Sequence, residues 1–156
     1  MIDYQPVVVD RILDLRHEVL RAGLPRESAC FEGDNDPHTV HWAALHGGQI
    51  IGCVSLFLRP LENQPAWQLR GMAVQEGFRR FGVGAQLLRR AEEHVICHAP
   101  PGRIWCNARE QAVGFYQRHG WQIISDRFDI PTAGAHYRMF KRLVPEREAH
   151  LPENRV

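Results

Sequence analysis

The chain has 156 residues, enough for one domain with a buried core, and its composition of 44% apolar and 24% charged residues is ordinary for a soluble globular protein. A formal net charge of +1 gives no general attraction to nucleic acid or to an anionic membrane, so neither partner is expected. No apolar run approaches a membrane span, the N-terminus lacks the basic start and apolar core of a secretory signal, and Cys30, Cys53, Cys97 and Cys106 form no C-x-x-C pair. A reduced, cytoplasmic protein is expected.

Residues 1–5 carry no clear pattern. From residue 6 to residue 20, Val9, Ile12, Leu13, Leu15, Val19 and Leu20 make an amphipathic stripe, which predicts a helix with Pro6 in its first turn and its end near Gly23 and Pro25. Residues 26–37 read as a loop, locally acidic at Glu32-Gly33-Asp34-Asn35-Asp36. Such a run is a solvated surface in structural terms, or an acidic wall for a cationic acceptor in functional ones. Residues 39–45 and 49–58 are strand-like and joined through Gly47-Gly48, a hairpin signal. Residues 60–65 form a loop before the strand WQLRGMAV at 67–74, where Gly71 marks a bulge.

A glycine-bearing turn follows, and then a helix. Val83, Leu87, Leu88, Ala91 and Val95 recur at helical spacing, with Arg89, Arg90, Glu92 and Glu93 on the other face. Pro100-Pro101-Gly102 stops it. Residues 103–108 read as a buried strand, 109–119 as a helix closing at Gly120, and 121–130 and 136–144 as two strands around the turn at Pro131-Thr132-Ala133-Gly134. The elements predict a single α/β (α+β) domain over residues 1–144 with a mixed sheet, and a polar tail over 145–156. His94 and His98 stand four apart on a helix, but no third ligand is suggested nearby and no metal is expected.

Residues 79–85, Arg79-Arg80-Phe81-Gly82-Val83-Gly84-Ala85, carry the strongest chemical signal. The first N–H groups of a helix have no partner within it, and the helix dipole is positive there. Two glycines let a ligand approach the backbone, and two arginines add charge and donors, so the turn suits a phosphate or pyrophosphate. It is neither a P-loop, which needs G-K-[ST], nor a Rossmann turn, whose third small residue is here Leu87. Without a ligand, the same glycines make only a turn.

The turn fits [RQ]-x-x-G-x-[GA] with Arg79, Gly82 and Gly84, after a strand ending Met72-Ala73-Val74. A second stretch, Ala112-Val113-Gly114-Phe115-Tyr116-Gln117-Arg118-His119-Gly120-Trp121, fits A-x-x-[FL]-Y-x-x-x-G-[FW]. In these features, over roughly residues 40–142, the chain resembles the GNAT family, the GCN5-related N-acetyltransferases. The resemblance implies a mostly antiparallel sheet flanked by helices and splayed at an acyl-CoA site. It implies that the turn from Arg79 through Arg80, Phe81, Gly82, Val83 and Gly84 to Ala85 holds the CoA pyrophosphate. It further implies that Met72, Ala73 and Val74 pair with the pantetheine arm and that Tyr116 stands beside the sulfur. Many relatives carry an Asn seven residues before this Tyr. That slot is Arg109 here, with Asn107 two residues earlier, and either is a candidate cofactor contact.

Acetyl transfer from acetyl-CoA to an amine has three requirements. The amine must be neutral to attack, although a lysine amine titrates near ~10.4 and an α-amine near ~8, so a base or water must take its proton. The developing oxyanion needs a donor, for which the resemblance implies a backbone N–H around Met72–Val74. The leaving thiolate needs a proton, which Tyr116 would supply as general acid. Several relatives place a basic Glu on the strand before the glycine turn, yet residues 67–74 contain no acid. His136, Glu32 and Asp34 are the candidate bases, and Glu32 and Asp34 are also the candidate groups for a cationic acceptor. A non-catalytic acyl-CoA-binding or sensing domain is the alternative function.

Overall fold

The computed structural model describes residues 1–100 and 102–144, so the tail expected over 145–156 lies outside the described residues. Two compact units emerge, Met1–Arg59 with Gln68–Ala91, and Pro60–Trp67 with the chain from Glu92 onward.

The first unit holds strands β1 (Ile2–Val7), β2 (Val40–His46), β3 (Gln49–Leu58) and β4 (Trp67–Val74), in the order β1-β2-β3-β4. β2 and β3 pair antiparallel, and their turn uses Gly47 and Gly48 at φ 57° and 79°, values that glycine adopts without strain. β1 is an addition to the sequence reading. It pairs antiparallel with β2 from Ile2↔His46 to Val7↔His41, and Pro6 is tolerated because β1 is an edge strand. The helix expected over residues 6–20 is accordingly shorter. A 3-10 turn at Val9–Arg11 leads into α1 (Leu13–Leu20).

β3 is buried along most of its length, with the core on both faces. On one face Cys53 packs with Val9, Ile12, Leu15, Ala43, Leu45 and Ala73. On the other lies Gly52, where an added Cβ would stand 2.8 Å from Val83 Cγ1 and 3.1 Å from Leu87 Cδ1. That glycine lets helix α2 (Val83–Cys97) start close against the sheet. All five residues of its expected apolar stripe, Val83, Leu87, Leu88, Ala91 and Val95, are buried.

The second unit holds β5 (Arg103–Arg109), β6 (Gln122–Ile123), β7 (Phe128–Ile130), β8 (Gly134–Arg142) and helix α3 (Val113–Arg118), which follows a 3-10 turn at Glu110–Ala112. β8 pairs antiparallel with β5, β6 and β7. The single strand expected over 121–130 is split. At the break, the Arg138 N–H donates to the Ser125 hydroxyl at 2.8 Å, while the Ile124 N–H donates to the Arg138 carbonyl at 2.8 Å. A side-chain oxygen takes over one backbone bond, and the chain bends there.

In the same unit the His94 ring meets Trp67 edge-on at 5.0 Å and stacks on His98 at 3.8 Å with 7° between planes. Burial, and then the neighbouring His98, push His94 down to about 4. A folded-state value below the unfolded one means that the stabilisation is complete above about pH 6.5 and is lost as pH falls through the folded value. Melting temperatures of the wild type should therefore drop between pH 7 and pH 4, and His94→Leu should flatten that drop. Parallel curves for the two proteins would assign the acid sensitivity to other groups.

Candidate acyl-CoA turn and catalytic tyrosine

β4 runs into the glycine turn through a 3-10 segment at Glu76–Phe81. Two bonds fix the junction. The Gln75 N–H donates to the Ile51 carbonyl at 2.8 Å, and Arg79 Nε donates to the Val74 carbonyl at 3.1 Å. Gly82 then takes φ 69° and ψ 19°, the left-handed region, and a Cβ there would meet nothing within 4 Å. The first i→i−4 bond of α2 runs from Gln86 N to Gly82 O at 3.1 Å, so the amides of residues 83–85 precede the helical ladder. Arg79, Arg80, Phe81 and Gly82 are exposed, Val83 is buried beneath them, and Gly84 and Ala85 are half-buried. A left-handed glycine, unladdered amides and exposed guanidinium groups in one turn fit a pyrophosphate. Upstream on β4, Ala73 is buried and Met72 and Val74 are half-buried.

In the second unit, Tyr116 on α3 is 5% exposed. Its ring packs edge-on to Phe115 and tilted to Trp121, both at 5.1 Å. The local fold is set by the helix end. The Tyr116 carbonyl accepts from the N–H groups of His119 and Trp121, both at 3.0 Å, and Gly120 turns the chain at φ 87°. Burial raises the Tyr116 phenol well above its ordinary value of 10.0, so it carries its proton throughout the neutral range.

Asn107 and Arg109 are half-buried on β5, in register with Arg138 and His136 of β8. Asn107 Oδ1 accepts from Arg138 Nε at 3.2 Å. His136 is 4% exposed, and its Nδ1 lies 2.7 Å from the Gly134 carbonyl. A carbonyl only accepts, so Nδ1 carries the hydrogen, and in the neutral ring Nε2 is the proton acceptor.

The acidic loop of the first unit differs from its expected form. Asp34 is buried and paired with Arg16, a fully buried residue of α1. Arg16 Nη1 and Nη2 donate to Asp34 Oδ2 and Oδ1 at 2.8 and 2.9 Å, and Oδ2 also accepts the Phe31 N–H at 2.8 Å. The solvated wall expected at Asp34 is therefore corrected: this carboxylate is committed to an internal ion pair. Glu32 is exposed, and its backbone carbonyl accepts from Arg59 Nη2 at 2.6 Å.

Around the pair runs a closed circuit that sequence reading missed. Arg16 Nη2 donates to Ser55 Oγ at 2.7 Å, and Arg16 Nη1 to the Ala29 carbonyl at 3.0 Å. Because arginine only donates, the Ser55 hydroxyl sends its own hydrogen to His41 Nδ1 at 2.6 Å. His41 Nε2–H then donates to the Asp34 carbonyl at 2.9 Å. His41 is thereby neutral, consistent with burial lowering its pKa. The available signal was Arg16 itself, four residues after Ile12 and three before Val19, a cation on the apolar stripe.

The two buried thiols suit no nucleophilic chemistry. Burial pushes the Cys53 thiol up to about 12 and the Cys106 thiol up as well, so neither is a thiolate nucleophile at neutral pH. Among the described residues there is no group of three or more His, Cys, Asp or Glu side chains able to hold a metal ion, and no helix is long and apolar enough to cross a membrane.

Comparison with known proteins gives the family of the chain. Residues 9–121 match the model of the acetyltransferase (GNAT) family. The chain is 31% identical over 146 residues to the uncharacterized N-acetyltransferase YitI of Bacillus subtilis (strain 168), covering 92% of this chain and 97% of that protein. Among solved structures, Escherichia coli ElaA superposes with a TM-score of 0.74 at 19% identity, covering 91% of this chain and 100% of its own. An aminoglycoside 6'-N-acetyltransferase complexed with coenzyme A gives 0.73 at 16% identity, covering 92% and 98%. These structures share its fold, a mostly antiparallel, open mixed sheet flanked by helices. The chain belongs to the GNAT family of acetyltransferases, and is an acyltransferase whose co-substrate is acetyl-CoA.

Proposed function

We propose that the protein moves an acetyl group from acetyl-CoA directly to an amine of a small molecule or protein, with Tyr116 as the general acid. The buried, proton-bearing Tyr116 carries this reading, because a donor that stays protonated at neutral pH is what a departing thiolate requires. The turn around Gly82 and Gly84, with Arg79 and Arg80, binds and orients the phosphates through backbone amides and guanidinium groups. Backbone N–H groups of Met72–Val74 serve the oxyanion and the pantetheine arm, and Asn107 and Arg109 are further cofactor contacts. For the amine's proton, His136 offers Nε2, since its Nδ1 is already bonded to Gly134. The buried thiols leave no role for an acyl-cysteine intermediate.

Thermal melting tests the binding half of this reading. CoA at a hundred times its Kd should stabilise the fold by about 2.7 kcal/mol. Gly84→Glu, which sets a carboxylate where the phosphates should lie, should abolish the rise in melting temperature. An equal rise in a folded Gly84→Glu protein would move the site elsewhere. Thiol release with a panel of amines tests the chemical half. Stabilisation by CoA without thiol release for any amine would favour the acyl-CoA-binding alternative, to which the absence of an acid on β4 also points.

A further inference from the structure

Tyr116 stands on a helix of six residues, α3, two residues before its end. Isolated helices shorter than about 12–15 residues are marginal in water, so tertiary contacts must hold this one in place. Among the described residues the Tyr116 hydroxyl makes no hydrogen bond, and the packing of its ring sets where it points. The ring meets two others, Phe115 beside it on α3 and Trp121 just beyond the glycine turn, both at 5.1 Å. Phe115 moves with the helix. Trp121 lies outside it and is 2% exposed, so whatever anchors Trp121 fixes the direction of the phenol.

Two side chains from other elements supply the anchor. Trp121 Nε1 donates to Glu92 Oε2 of α2 at 3.2 Å, and Lys141 Nζ of β8 donates to Glu92 Oε1 at 2.7 Å. The same ammonium group donates to the His119 carbonyl at 2.8 Å, in the turn that ends α3. Lys141 thus sits at the negative end of the helix. It lies against Gly120, where an added Cβ would stand 3.5 Å from its Cε. The N–H groups of His119 and Trp121 both return to the Tyr116 carbonyl. One carboxylate and one ammonium group tie α2, β8 and the end of α3 together around the tyrosine.

The chemistry of the tie is specific. Glu92 lies between two donors, and a carboxylate accepts from both, whereas a carboxamide of the same shape offers one oxygen and one NH2. The side chains of Lys141 and Glu92 are 25% and 14% exposed, so they have given up much of their water. Stability alone does not ask for that, since such a pair recovers little beyond its desolvation and apolar side chains of similar volume often serve as well. Holding one geometry does ask for it.

We infer that Glu92 and Lys141 are positioning residues for Tyr116, acting through the Trp121 ring and the His119 carbonyl to aim the phenol at the leaving sulfur. This rests on the general-acid reading above. A misplacement of about 1 Å can cost about 10²-fold in rate.

The experiment is a pair of double-mutant cycles, read as kcat at saturating acetyl-CoA where chemistry limits the rate. Lys141→Met and Glu92→Gln should each lower kcat by about 10-fold, within that limit. KM for acetyl-CoA and the CoA-induced rise in melting temperature should stay as in the wild type. Lys141→Arg, which keeps a donor, should regain most of the loss. In the Tyr116→Phe background neither substitution should lower kcat by more than about 2-fold further, because the group they aim is gone. A role in packing alone would cost the same factor in both backgrounds. That result overturns the inference, and so does an unaltered kcat in Lys141→Met. If Tyr116→Phe itself turns over like the wild type, or if no amine releases thiol, the general-acid reading fails by itself. The positioning is then read by NMR of the protein with labelled tyrosine rings, of which there are three. The Tyr116 signal, identified by its loss in Tyr116→Phe, lies under the ring currents of Phe115 and Trp121. It should shift or broaden in Lys141→Met and Glu92→Gln and hold in Lys141→Arg, while the Tyr4 signal does not move. An unshifted Tyr116 signal in Lys141→Met and Glu92→Gln overturns the inference.

Discussion

Tyr116→Phe should lower turnover by roughly 10²-fold while leaving the CoA-induced rise in melting temperature intact. The substitution removes one oxygen and keeps the ring, so the contacts with Phe115 and Trp121 persist and the helix end at Gly120 is untouched. What disappears is a proton donor. The phenol is held well above 10.0 by burial and by the nearby Cys106, so it is fully protonated at working pH but gives up its proton reluctantly. That places the effect at the low end of general-acid catalysis, because the donor contributes chiefly a hydrogen bond to the thiolate rather than complete transfer. The same raised value means that the wild-type kcat should show no basic limb from this group below about pH 10. Turnover of Tyr116→Phe equal to wild type, under conditions where chemistry limits the rate, would leave the hydroxyl with a packing role only.

The parts of the fold that could be read from sequence are those whose signal is local and periodic. α2 announced itself by five apolar residues at helical spacing, and all five are buried. The glycine turn and Tyr116 were legible because each lies in a contiguous motif whose spacing reflects one backbone event, a left-handed residue before α2 or a glycine after α3. β1 was not legible. It is a six-residue edge strand containing a proline, and its partner is some forty residues away on β2. The split of residues 121–130 turned on one serine hydroxyl bonding across to β8, which no periodicity records. The internal pairing of Asp34 was not legible for the same reason. The acids Glu32, Asp34 and Asp36 are neighbours in sequence, whereas Arg16, Arg21, Arg59 and Arg70 come from α1, the residue that follows it, the residue that follows β3, and β4. Only folding gathers those four around Phe31 and Phe57.

Asp34→Ala should be among the most destabilising single changes in the first unit, at about 3–5 kcal/mol. The figure does not measure the strength of the Arg16–Asp34 pair, since two charges taken from water lose much of what their attraction returns. It measures what remains after one partner goes. Arg16 is fully buried, so its guanidinium would keep only Ser55 Oγ and the Ala29 carbonyl, both neutral, while the Phe31 N–H would lose its acceptor. A fold of this size has about 5–15 kcal/mol in hand, and each kcal/mol moves the melting temperature by about 2–4 °C, so a fall of about 6–20 °C is expected. Asp34→Asn should fall less, because its amide oxygen can still accept from Phe31 N–H and from one Nη. The decisive variant is the double replacement Arg16→Met with Asp34→Ala. Removing the stranded cation should recover part of the loss even though another polar residue has been deleted, which is the reverse of what additive contacts predict. A double variant that melts lower than Asp34→Ala by the full loss of Arg16→Met alone would mean that the two side chains act independently. The circuit through Ser55 and His41 would then owe its stability to those residues and not to the ion pair at its centre.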